Sequence, residues 1–391
     1  MTASAAAVPQ KKSWRRLVVA LVFFLAVPLI PQLRVMFPIE QTLMLLVAVI
    51  ASCMVVGWRQ GGRLSLTITW LLLALALVMW PALPPGAHYV SLARSWLFSS
   101  GSGYMPLARG WTLLLAASFG LIGLFGATQS FISRALSALA LAAGVGFVLV
   151  LFAPGGPTRI AGTMAEEYSR RNAESIAQLR EGAKTEPWKD QVDKSPTIQR
   201  LNQMTEEELL AIPKWSSLLV PAVLALESLA AMALAWSLYH RLKTAPIGPA
   251  LGRLRDFRFN DQLVWGVAVG ASIYLLPAFA EGKNAGLNIL VFFGSLYVLR
   301  GLGILGWISN GKVWRLVVAI VGSFVFAVIL ADSLGFLISP VFPIAALAFA
   351  LGLGDTWLDY PSGNFPARHC IRCRSLRGIS ACSIRMFQER S

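Results

Sequence analysis

The stretch 131–152 reads FISRALSALALAAGVGFVLVLF, and Arg134 is its only charged residue. Its apolar residues run continuously, whereas a barrel strand alternates apolar and polar with period two. About twenty such residues, wound as a helix, cross the hydrocarbon core of a bilayer. Inside lipid every backbone N–H and C=O must be paired within the chain, which a helix achieves alone. The stretch therefore reads as a membrane-spanning helix, and the rest of the chain repeats the pattern. Similar runs lie at 17–37, 42–57, 64–83, 111–128, 215–239, 263–280, 287–308, 313–338 and 341–358. Hydrophobic residues make up 56% of the 391 residues and charged residues 14%, against roughly 25% charged in soluble domains. The expected fold class is all-α, a polytopic transmembrane helix bundle of about ten spans. Nine is the alternative, because Pro28 and Pro31 interrupt the first run and the last is short enough for a re-entrant hairpin.

Loop charge gives an orientation, because cytoplasmic loops carry the excess of Lys and Arg. With the N-terminus inside, ten spans put Lys11, Lys12, Arg15 and Arg16 in the cytoplasm. The same side receives Arg59, Arg63, Arg134, Arg241, Lys243, Arg253, Arg255, Arg258, Lys312, Arg315 and six tail arginines. Short outer loops hold only Arg34, Arg94, Arg109 and Lys283. Both termini are thus expected in the cytoplasm of a bacterial inner membrane. The net charge of +15 follows from this topology and from attraction to anionic lipid, about 1 kcal/mol per basic residue. It calls for no nucleic-acid partner. Lys11–Arg16 before an apolar run resembles a signal peptide, but no small-x-small cleavage site follows cleanly, so the segment reads as a retained first span.

Four regions follow: helices 1–5 over 1–153, a polar extracytoplasmic helical insertion over 154–214, helices 6–10 over 215–358, and a basic tail over 359–391 expected to be disordered. The insertion holds nine Lys or Arg and ten Asp or Glu. Pro154-Gly155-Gly156-Pro157 ends the fifth span. A helix is expected over 161–183, with Met164, Tyr168, Ile176 and Leu179 as a thin apolar stripe. Thr205–Glu208 reads as a capping box opening a short helix that Pro213 closes. The insertion is a surface linker, a lid over a cavity, or a docking arm. Gly120, Gly123 and Gly126, the pair Gly266 and Gly270, and Gly301, Gly303 and Gly306 are read as close-packing positions within the bundle.

Ionisable residues inside spans are costly, and so they are the functional leads. Glu227 lies halfway along the sixth span, Arg300 within the eighth and Asp332 in the ninth. Glu227 and Arg300 are expected to pair across helices, either structurally or lining a polar cavity, with Asn284 and Asn288 adding polar contacts. The inner loop 246–265 alternates Arg253, Arg255 and Arg258 with Leu254, Phe257 and Phe259. That pattern suits a segment in the headgroup layer, rings down and guanidinium groups toward phosphates, or a docking surface for a cytoplasmic partner. Asn260 or Asp261 is placed to cap the seventh span.

The run 254–265, the segment Glu227-Ser228-Leu229-Ala230-Ala231 and the run 296–303 resemble the YybS-like family of bacterial membrane proteins. The resemblance covers roughly 215–355 and implies an inner-membrane location with no established activity. More distantly, the architecture is similar to substrate-binding subunits of energy-coupling-factor transporters, and no binding residue is carried over from them.

A search for catalytic motifs finds no phosphate-binding loop, no Gly-x-Ser-x-Gly elbow and no catalytic or metal spacing among His88, His240 and His369. Cys53 reads as packing. The tail's His369, Cys370, Cys373 and Cys382 contain one Cys-x-x-Cys crowded by arginine, a weak zinc pattern. No enzyme activity, cofactor or metal is expected. The leading expectation is a small-solute transporter or substrate-capture subunit of unknown substrate, in contact with lipid and with a possible protein partner. The alternative is a non-catalytic membrane scaffold for envelope or division machinery.

Overall fold

A computed structural model describes residues 14–29, 36–79, 103–126, 129–184, 196–242, 247–252, 259–308 and 341–358. The described residues contain helices and no strands. In chain order the α-helices are α1 (Trp14–Ala26), α2 (Ile39–Arg59), α3 (Leu64–Met79), α4 (Tyr104–Phe125), α5 (Phe131–Phe152), α6 (Gly156–Lys184), α7 (Pro196–Tyr239), α8 (Val264–Leu275), α9 (Lys283–Ile308) and α10 (Val341–Leu358). Among the described residues five segments are long and apolar enough to cross a membrane: Ile39–Arg59, Tyr104–Phe125, Phe131–Phe152, Leu218–Tyr239 and Pro277–Leu305.

The other expected spans are described only in part or are interrupted. The first ends at Ala26 and passes through a 3-10 turn, Val27–Leu29, where Pro28 cannot continue an α-helix. The seventh stops at Leu275, and Pro277 opens a 3-10 segment to Gly282. Leu64–Met79 and Ala345–Thr356 are apolar but shorter. The expected span 313–338 lies outside the described residues, as does the tail 359–391.

The chain divides into two compact units. The first joins 1–252 to 259–296, and the second joins 253–258 to 297–391. These units are drawn differently from the division at residue 214, because α7, α8 and the first half of α9 belong with the N-terminal helices.

In the first unit α2 is the centre. It packs on α3, α4 and α7, while α4 packs on α5, and α7 packs also on α5 and α6. Most of α2 is buried, including Met44, Leu45, Val49, Ile50 and Met54. Gly57 lets α7 approach, since a Cβ there would fall on the Tyr239 ring. Gly266 and Gly270 do the same for α9, where a Cβ would meet Phe293 and Ile289. These glycines serve internal packing. The expected helix at 161–183 is found as α6, with Tyr168 and Ile176 buried. A correction concerns Pro213, which does not close a short helix. One helix of 44 residues runs from Pro196 to Tyr239 with Pro213 and Pro221 inside it. Each internal proline costs about 3 kcal/mol, and the packing of α7 on three neighbours outweighs that.

In the second unit, α10 crosses the C-terminal half of α9 closely. A Cβ on Gly301 would strike the Ala348 carbonyl, and one on Gly352 the Tyr297 carbonyl. Tyr297 and Phe349 meet edge to face at 6.4 Å.

Candidate functional site

The first turn of α2 is the unusual feature of this fold. Glu40, Gln41 and Thr42 follow one another there, and all three are buried. Consecutive helical residues point about 100° apart, so three buried neighbours mean that this helix end is surrounded on most sides. Pro38 caps the helix in extended conformation.

Glu227, from α7, is the hub of what Gln41 and Thr42 face. Gln41 Nε2 donates to Glu227 Oε2 at 2.5 Å, and Thr42 Oγ1 donates to Glu227 Oε1 at 2.6 Å. The Thr42 hydroxyl has a second acceptor, the Pro38 carbonyl, at 3.2 Å. On the other side of Gln41, the Tyr104 hydroxyl from the first turn of α4 donates to Gln41 Oε1. A chain Tyr104–Gln41–Glu227–Thr42 therefore runs through the interior. Hydrogen bonds to a charged acceptor contribute about 1.5–3 kcal/mol each, which makes this carboxylate tolerable at such burial.

Helix α6 closes over the chain. The Arg171 guanidinium stacks 4.3 Å from the Tyr104 ring and 5.8 Å from that of Tyr168. Arg171 Nε pairs with Glu167 Oε1 at 2.8 Å. Glu167 also holds Arg170 at 2.8 Å, and Arg170 bonds Glu174 in turn. Burial pushes the Tyr168 phenol up to about 12. Contact with Glu167 and Glu174 raises the Arg170 guanidinium above its ordinary value.

Next to this network lies a cavity of about 920 Å³, bounded by α4, α5, α6, α7 and α9. Its walls are almost entirely apolar, among them Leu114, Leu139, Ala143, Phe147, Phe292 and Met164. Polar groups are few. Gln41 and Tyr104 stand at one place, with Trp111 on the same helix as Tyr104 and Asn288 on α9. Trp111 Nε1 donates to Ser228 Oγ at 2.9 Å.

Asn288 has a structural task. Its Oδ1 accepts from the Ala222 N–H at 3.0 Å, and its Nδ2 donates to the Leu218 carbonyl at 2.6 Å. Those two backbone groups are partners at spacing i, i−4 in a regular helix, and Pro221 lies between them. The side-chain amide thus stitches α7 across its proline, a recognised cause of helix bending.

Each of the two residues expected to pair, Glu227 and Arg300, has partners within its own unit. Glu227 is held by Gln41 and Thr42, while Arg300 Nε pairs with Asp355 Oδ2 of α10 at 2.8 Å, both side chains buried. Hydropathy cannot say which of several intramembrane charges face each other, and Asp355 is the acid in the 341–358 run whose significance goes unseen. Asp332 and the loop residues Arg253, Arg255, Phe257 and Arg258 lie outside the described residues. Phe259 is buried in the protein rather than laid in a headgroup layer. Asn260 caps the helical turn at Asp261–Leu263, its Oδ1 accepting from Gln262 N at 3.0 Å.

Sequence reasoning misses Gln41, Thr42, Tyr104 and Arg171, since none is charged inside an apolar run. It also counts Arg134, near the start of the 131–152 span, only as a cytoplasmic charge. Arg134 is fully buried, donating to the Ile247 and Gly126 carbonyls at 2.8 and 2.6 Å beneath the Trp236 ring at 4.5 Å. Trp236 Nε1 donates to the Pro249 carbonyl at 3.1 Å, so two side chains pin the connection that follows α7.

Apolar helices of spanning length, packed through glycine and enclosing buried polar networks, define a polytopic α-helical membrane protein. The chain belongs to the family described as Predicted membrane protein (DUF2232), whose model matches residues 89–355. That range contains Glu227–Ala231, 254–265 and 296–303, the segments that carry the YybS-like resemblance. Comparisons with curated proteins and with solved structures give no match.

Proposed function

We propose that the protein captures a small amphiphilic molecule from the bilayer, as a transporter or the substrate-capture subunit of one. The observation that carries this reading is the cavity of about 920 Å³ among spanning helices, with polar groups concentrated at Gln41 and Tyr104. A mostly apolar pocket with a few placed polar groups is the usual form of a small-molecule site. At roughly 30 Å³ per small group, the volume accommodates about thirty non-hydrogen atoms. A purely apolar occupant has no use for the hydrogen-bonded end, and a fully polar one has none for the walls. The distant resemblance to energy-coupling-factor substrate-binding subunits points the same way. The reading is of binding without catalysis.

The charge count supports both termini in the cytoplasm of a bacterial inner membrane, with ten spans in all. Helix α6 and the start of α7 then lie on the outer face. Cysteine labelling at Gly61 and at Lys283 tests this: the first should be shielded from impermeant reagent in intact cells, the second reactive.

The capture reading is tested by extracting the purified protein and identifying co-purifying amphiphiles by mass spectrometry, alongside Ala225→Phe. That substitution puts a ring into the cavity wall. The expected result is a retained amphiphile that the variant loses while keeping its elution profile. Equal retention by both proteins overturns the reading.

A further inference from the structure

We propose that the molecule held in this cavity carries a cationic head, and that its entry is exchanged for a proton on Glu227. The inference rests on the capture reading and names its ligand class. Glu227 is 4% exposed, and its two hydrogen-bond donors, Gln41 and Thr42, are both neutral. Arg171, the cation that acts on it electrostatically, is itself paired with Glu167 at 2.8 Å. A carboxylate buried without an ion pair is expensive to keep charged. It binds a proton or acquires a cation.

Thr42 accommodates both states. When Glu227 is ionised, the Thr42 hydroxyl donates to Oε1 at 2.6 Å. When Glu227 is protonated, its O–H donates to Thr42 Oγ1, and the threonine hydrogen turns to the Pro38 carbonyl, 3.2 Å away. No buried group loses its partner in either state, which is the condition for a proton to come and go at low cost.

The hydrogen-bonded chain links this event to the cavity. With Glu227 ionised, the Gln41 amide donates to it, and the Gln41 carbonyl is occupied by the Tyr104 hydroxyl. With its hydrogen given to Gln41 and Arg171 already bonding its oxygen, Tyr104 has no donor left for the cavity it lines, so an incoming group must donate or be positive. Tyr104 already carries one cation on its ring, the Arg171 guanidinium. Trp111 and Phe292, also in the wall, provide further ring faces that attract cations. The ionisable groups that act on Glu227 are Glu40 from α2, Tyr104 from α4, and Tyr168 and Arg171 from α6. Helix α5 brings Arg134, held by backbone carbonyls beneath Trp236, and α1 brings Arg15 and Arg16, which are exposed.

The proton balance is simple. The neutral acid loses H⁺ to solvent as the cationic head arrives, so the total charge of the site is unchanged.

The test uses the full chain in lipid nanodiscs and four probes with one tail: octyltrimethylammonium, octylammonium, octyl glucoside and octyl sulfate. Binding is measured by isothermal titration calorimetry at mildly acidic pH in two buffers of different ionisation enthalpy, which counts released protons. The two cationic probes are expected to bind at least about tenfold more tightly than the others, releasing up to one proton per ligand. Glu227→Gln should abolish the release and the preference. Tyr104→Phe, which leaves the carboxylate in place, should weaken cationic binding several-fold while retaining proton release. Equal binding of all four probes to the unaltered protein overturns the cationic-head inference and leaves capture standing. Cationic preference without proton release overturns the exchange. Failure of every probe to bind overturns the head-group inference, and if native extracts are also empty it removes the capture reading with it.

Discussion

Replacing Asp355 with Asn should destabilise the second unit strongly, while replacing both Arg300 and Asp355 with apolar residues should cost much less. The two side chains are 3% and 4% exposed and meet at 2.8 Å. The crossing of α9 and α10 is tight around them, with Gly301 against the Ala348 carbonyl and Gly352 against the Tyr297 carbonyl, which leaves little room for water to solvate an orphaned charge. Removing one partner of a buried pair costs about 3–5 kcal/mol, whereas a well-packed apolar replacement of both is often neutral. At a few degrees per kcal/mol, Asp355→Asn should lower the melting temperature by on the order of 10 °C. Arg300→Met combined with Asp355→Leu should recover more than half of that loss. The assay is loss of monodisperse fluorescent fusion protein after heating in detergent, completed as a double-mutant cycle. A loss below about 1 kcal/mol for Asp355→Asn would refute the argument, because the pair would then be solvated. So would a double variant as unstable as the two singles summed.

Asn288→Leu should cost about 1–3 kcal/mol by withdrawing the amide that reaches Ala222 N–H and the Leu218 carbonyl; Pro221→Ala in the same background should restore part of it, by thermal denaturation. Arg134→Met should free the Ile247 carbonyl, and limited proteolysis should then cut the connection after α7 at least several-fold faster with α5 and α7 intact. Tyr168 should ionise near pH 12 instead of the usual value near 10. Since the folded state holds this proton more tightly than the unfolded one, its contribution is fully present below pH 10 and is lost as pH rises from about 10 to 12. Difference absorbance at 295 nm between the native protein and Tyr168→Phe checks the midpoint.

The membrane class, the helical content, α6 and the break at 154–157 were legible because each depends on local composition: continuous apolarity, an apolar stripe, or a Pro-Gly cluster. Two kinds of feature were not. Helix ends near proline were misjudged in both directions. Pro277 ends an α-helix inside the expected span 263–280, and Pro213 does not end one, because a proline's local cost is fixed while the packing that opposes it is set by distant segments. Partner choice among buried polar groups was the other failure. Glu227 and Arg300 were each recognisable alone, since a charge inside an apolar run stands out. Their partners Gln41, Thr42 and Asp355 sit 186, 185 and 55 residues away, and no periodicity encodes such distances.

The same contrast separates the two buried carboxylates by role. Asp355 pairs at 2.8 Å with a guanidinium that is always charged, and the pair acts as a fastener between α9 and α10. Glu227 faces neutral donors, Gln41 and Thr42, and the Thr42 hydroxyl has a second acceptor in the Pro38 carbonyl, the geometry on which the proposed exchange rests. A membrane protein that only needed to hold α7 against α2 would be served as well by leucine at 227 and a small apolar residue at 42. Buried polar groups are costly unless fully paired, and a pairing that survives a change of charge state is a stricter requirement than structure alone imposes. That stricter requirement is what the proposed exchange asks of Glu227 and Thr42.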